Sequence, residues 1–214
     1  MKFVTPLARA FTGILFLLVG AALARATTIN YHVAFDTSSL SSPFYVDFQF
    51  VDGSGVGNAN NTATLSNFDF GGGSLIGAPT AFGSFSGSFA SGITLTDSDF
   101  FTEIFQSFAP GSTLSFDVTL TNTIESPAPD VFSFAILDGS LANIPTTHPT
   151  NNSLFYVELG SSPVLSSGTG NFNGITSIAS PVPDSGPSVW YVVLLGICGT
   201  NYVRRHARDR VRLR

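Results

Sequence analysis

Apolar and polar residues alternate with a period of two in several separate runs of this chain. In residues 112–121, STLSFDVTLT, one parity holds Leu114, Phe116, Val118 and Leu120. The other holds Ser115, Asp117, Thr119 and Thr121. Such a run predicts a strand with one buried and one wet face, the habit of antiparallel sheets. Residues 44–50, FYVDFQF, repeat it, with Phe44, Val46, Phe48 and Phe50 opposed to Tyr45, Asp47 and Gln49. NYHVAFD (30–36), ATLSNFDF (63–70), SGITLT (91–96), VFSFAIL (131–137) and SLFYVEL (153–159) supply further strands. AFGSFSGSF (81–89) is a run interrupted by Gly and Ser. Turn chemistry separates the runs: Gly71-Gly72-Gly73, Pro110-Gly111, Asp138-Gly139-Ser140 and Gly160. In DSDFFTEIFQSF (97–108), Phe101, Ile104, Phe105 and Phe108 have helical spacing. That stretch fits a short helix capped near Asp97 to Asp99, or an irregular strand, equally well. Many short strands with regular turns predict an all-β fold for residues 27–178, an antiparallel β-sandwich of jelly-roll-like type.

Composition supports a packed core. Eighteen of the 21 Phe residues fall in this segment, and each contributes about 1.5–3 kcal/mol when buried. Charge changes the picture more. Between Arg25 and Arg204 there is no Lys or Arg, while residues 27–203 carry 13 acidic side chains. Nucleic acid is therefore not an expected partner, since nothing in the segment neutralises phosphates. The single cysteine, Cys198, excludes an intrachain disulfide.

The basic residues lie at the two ends. Lys2 and Arg9 precede an apolar run at 11–23, and Ala24-Arg25-Ala26 fits a small-x-small cleavage site. Residues 1–26 thus read as a signal peptide cut after Ala26, which implies the Sec translocon and a signal peptidase as partners. An uncleaved anchor is the other reading. Residues 179–187 form a Pro/Ser/Gly-rich linker. Residues 188–203 are an apolar transmembrane segment. Its apolar stretch is short against a hydrocarbon core of about 30 Å, and a last buried strand is the alternative. Residues 204–214 are a basic tail in which Arg204, Arg205, Arg208 and Arg210 act as a cytoplasmic stop.

The tail VPDSGPSVWYVVLLGICGTNYVRRHARDR resembles a PEP-CTERM sorting domain of the VPDSG variety. Val182, Pro183, Asp184, Ser185 and Gly186 match the motif and stand where the commoner form has Pro-Glu-Pro. The resemblance implies export, docking in the inner membrane with the domain in the periplasm, and processing by an exosortase. It further implies delivery to the cell surface or an exopolysaccharide matrix, with the exopolysaccharide a candidate partner. It supplies no activity for the domain. The body resembles exported proteins of this class more loosely, through FAPGSTLSFDVTLT followed by PDVFSFAIL.

No catalytic set stands out. The segment holds two histidines, His32 and His148, with no G-x-S-x-G elbow and no zinc spacing. The chain is therefore expected not to be an enzyme. It is read as a surface or matrix structural protein, with a non-catalytic carbohydrate-binding module as first alternative and an extracellular hydrolase as second. Tyr45, on the polar face of its strand, is the candidate sugar contact. No cofactor is required; Ca²⁺ is the one that Asp97, Asp99 and Glu103 would suit as hard oxygen ligands.

Overall fold

The computed structural model describes residues 27–41, 43–123, 128–162, 164–167 and 175–178. The readings for the signal peptide with Ala24 and Ala26, the VPDSG motif, the membrane segment and the basic tail lie outside the described residues. Among those described there is no helix, and hence none long and apolar enough to cross a membrane.

In chain order the strands are β1 Thr27–Asp36, β2 Phe44–Val51, β3 Thr62–Asp69, β4 Ser74–Phe82, β5 Phe85–Ser88 and β6 Gly92–Thr96. They continue with β7 Phe101–Ala109, β8 Thr113–Asn122, β9 Val131–Leu137, β10 Phe155–Glu158, β11 Val164–Leu165 and β12 Ile175–Ile178. Two six-stranded sheets result, ordered β12-β1-β8-β3-β6-β5 and β11-β10-β9-β2-β7-β4. Every pairing is antiparallel. The long-range pairs are nested: β1 lies beside β8, β2 beside β7, and β3 beside β6.

Phenylalanine fills the space between the sheets. Phe35, Phe48, Phe50, Phe108, Phe116, Phe132, Phe134 and Phe155 are all fully buried. Phe48 of β2 is the hub. Its ring meets Phe116 of the opposite sheet edge-on at 5.1 Å, and Phe134 of its own sheet at 4.8 Å. Edge-on and tilted ring pairs at such distances add stabilisation beyond the area buried. The alternation expected of residues 112–121 holds in β8, where Leu114, Phe116, Val118 and Leu120 are buried.

Residues 101–109 resolve the open choice in favour of a strand. β7 is paired along its length with β2 on one side and with β4 on the other. Its inward residues are Thr102, Ile104, Gln106 and Phe108. Two of those four are polar, which hides the period of two. Each has its partner. Thr102 donates its hydroxyl to the Thr96 carbonyl at 2.9 Å. Gln106 donates to the Gly77 carbonyl at 2.6 Å, beside the irregularity between Ile76 and Thr80 where β4 leaves its ladder with β7.

Candidate functional site

Alternation along β2 and β7 sends a second set of side chains outward from the second sheet. Tyr45, Asp47 and Gln49 come from β2, Glu103 and Phe105 from β7, and Phe82 from the edge strand β4. Three rings form a strip across these strands. Tyr45 meets Phe105 edge-on at 6.1 Å, and Phe82 stacks on Phe105 at 6.5 Å with an interplanar angle of 28°. Phe82 is 55% exposed. At the Tyr45 end a groove of about 550 Å³ is lined by Pro43, Phe44, Tyr45, Ser107, Asp138 and Gly139. Tyr45 is half-buried and forms one wall of it.

A polar set lies beside the rings. The Gln49 amide donates to Asp47 at 2.8 Å and to Glu103 at 3.0 Å. Asp47 is 1% exposed, and its Oδ1 has no hydrogen-bond partner. Burial pushes its carboxyl up to about 7, and the neighbouring charge of Glu103 adds to the shift. The two acids are thus a pair bridged by one amide, with one member below the surface. No spacing in the sequence marks this pair, because Asp47 and Glu103 become neighbours only through the register of β2 on β7.

Searches of family models, curated proteins and solved structures find no match to this chain.

A second group of acids occupies one end of the sandwich. Asp52 follows β2, Asn61 precedes β3, Asp97 follows β6 and Asp130 precedes β9. Asp97 is fully buried and Asp130 is 1% exposed. Asn61 joins them: its backbone N–H donates to Asp97 Oδ2 at 2.9 Å, and its side-chain amide donates to Asp130 Oδ2 at 2.6 Å. Asp130 Oδ1 accepts from the Gly53 N–H at 2.8 Å. Asp97 Oδ1 has no partner. Burial raises the Asp97 carboxyl to about 6, and the carboxylate of Asp130 beside it works in the same direction. Asp52 is the contrast. Burial works against its charge, but donors from Ser54, Gly57 and Val56 hold its carboxyl below the usual range.

The three acids read together from sequence are given separate surroundings. Asp97 belongs to the buried group just described. Asp99 is exposed and accepts from the Ser84 hydroxyl at 2.7 Å. Glu103 points to Gln49 on the outer face of the second sheet. Among the described residues no cluster of three or more His, Cys, Asp or Glu side chains is placed to hold a metal ion. His32 sits 2.7 Å from Asp117 on the exposed face of the first sheet, while the His148 ring packs on Tyr156 at 5.1 Å. Among the described residues no Ser or Thr hydroxyl bonds to either imidazole.

Proposed function

We propose that this chain is an exported cell-surface or matrix protein, delivered by its C-terminal signal, whose all-β domain is structural rather than catalytic. One observation carries the reading. A segment with no Lys or Arg ends in VPDSG, an apolar stretch and an Arg cluster, in that order. That order resembles an exosortase substrate docked in the inner membrane, with the domain in the periplasm before release. The nested pairing of β1 with β8, β2 with β7 and β3 with β6 favours a jelly-roll type of sandwich.

Trypsin tests it, since it cuts only after Lys and Arg. Protein from cells and from medium should release the domain as one fragment. A C-terminus near residues 183–186 supports sorting; one at Arg204 means that the tail is retained and overturns it. Replacing Pro183 and Asp184 by Ala should leave the tail uncut.

The strip of Tyr45, Phe105 and Phe82 favours a second, compatible reading: non-catalytic binding of a glycan on the outer face of the second sheet. The exposed ring of Phe82 and the half-buried rings of Phe105 and Tyr45 offer apolar surface of the kind sugar rings pack on, and Gln49 and Glu103 supply polar groups alongside. Tyr45→Ala and Phe82→Ala should then each weaken retention on an exopolysaccharide column by about tenfold, roughly 1.4 kcal/mol. Equal retention would exclude this face, and turnover of the polysaccharide would favour an extracellular hydrolase instead.

A further inference from the structure

The end of the sandwich that gathers Asp97, Asp130 and Asn61 has a charge problem that the protein does not solve with its own residues. Two carboxylates lie side by side, both essentially without solvent contact. Removing charge from water is costly unless it is paired, and a second like charge adds to the cost. The usual remedy is an Arg or Lys. None exists anywhere between Arg25 and Arg204. Three of the four carboxylate oxygens have a donor, from Asn61 or Gly53. The fourth, Asp97 Oδ1, is fully enclosed and receives no donor group; the side chain set against the Asp97 carboxyl is that of Asp130, another acceptor. A buried, unpartnered carboxylate oxygen beside a second carboxylate is an arrangement that a cation completes.

We propose that Asp97 and Asp130 bind a hard divalent cation of the Ca²⁺ class, which fastens the 52–61 loop to the ends of β6 and β9. The donor chemistry selects the class. His and Cys are absent from the group, so the soft and borderline metals have no preferred ligand. Oxygen donors of loose geometry suit Ca²⁺ better than Mg²⁺, which requires a near-ideal octahedron. Two carboxylates are few for a tight site, and the affinity belongs in the range of about 10⁻⁴–10⁻³ M found in extracellular modules. The loop is built to reach this place. Gly53 passes so close to the carbonyls of Ala128 and Pro129 that a Cβ would overlap them. The backbone N–H groups of Asn58 and Ala59 close on the Asp97 carbonyl at 3.0 and 3.5 Å. Asp52 is left out of the donor set because the acid set against the Asp97 carboxyl is Asp130, while Asp52 is turned to Ser54, Val56 and Gly57 of its own loop.

A single proton shared by the two carboxyls would also remove one charge, so the experiment must separate proton from metal. The full-length chain, stripped with EDTA, is titrated with Ca²⁺ at pH 7.5 and at pH 5.0 by calorimetry. Thermal melting follows at zero and 10 mM Ca²⁺. The wild type should take up one ion per chain at pH 7.5 and melt several degrees higher with Ca²⁺. Binding should weaken at least fivefold at pH 5.0, where protons compete. Asp97→Asn and Asp130→Asn should abolish it, while Asp47→Asn, in the other carboxyl pair, should leave it unchanged. Hydrogen exchange on the wild type, which needs no variant to fold, should show Ca²⁺ slowing the amides of Gly53, Asn58 and Asn61. No uptake at 10 mM Ca²⁺ with stabilisation by acid alone overturns the proposal in favour of a shared proton. So does binding that survives Asp97→Asn, is lost in Asp47→Asn, or protects amides elsewhere.

Discussion

Single residues here carry unequal weight. The buried ring of Phe48 meets Phe68 and Phe116 of the opposite sheet, so Phe48→Ala should cost about 3–5 kcal/mol in urea unfolding. Asn61 is fully buried and bonds to Asp97, Asp130 and both backbone groups of Thr123. Asn61→Ala strands several of those partners and should cost about 2–4 kcal/mol. The acids give a pH signature. The folded chain holds Asp47 near 7 and Asp97 near 6, both above the usual carboxylate value. Between about pH 4 and 7 the folded state therefore binds more protons than the unfolded one, and stability falls as pH rises. In EDTA the domain should be more stable at pH 5 than at pH 8, and Asp47→Asn should remove a large part of the difference. At still lower pH the trend reverses. Asp52 and Asp117 are held below the usual range, and the stability they contribute is lost as pH falls through their folded values.

At the scale of elements, legibility followed the inner face. β2, β8 and β9 could be read almost to the residue because their inward positions are apolar. β7 could not, since Thr102 and Gln106 sit inward and are satisfied by partners that the sequence does not reveal. β4 escaped because Gly77 and Pro79 interrupt it, and as an exposed edge strand it tolerates both. The acid group was half legible. Asp97 was visible as a candidate ligand, but its neighbour Asp130 arrives from the start of β9, far along the chain. The two arrive from different sheets, and they meet only where the sheet ends come together around Asn61. The loop between β2 and β3 is sensitive to a single change. Gly53→Ala would drive a methyl group into the carbonyls of Ala128 and Pro129. The variant should lose about 2–4 kcal/mol in chemical unfolding. Gly55→Ala, where open space surrounds the position, should lose less despite its positive φ.

For the whole molecule, the nested strand order sets a timetable for synthesis. β1 leaves the ribosome first, yet its ladder partner β8 ends at Asn122, which pairs with Thr27. At about 5–20 residues per second, that partner follows roughly 5–20 s later. During the interval the hydrogen-bonding edge of β1 is open, and neither of its neighbours, β8 and β12, has been made. The first sheet gains its last strand only with Ile175–Ile178, so the domain closes at nearly the moment its end emerges. A nascent chain of this kind needs a holdase, or a channel that keeps it extended, until almost its full length is available. Arrested chains ending before residue 113 should therefore remain fully sensitive to protease, whereas chains that include β12 should become resistant.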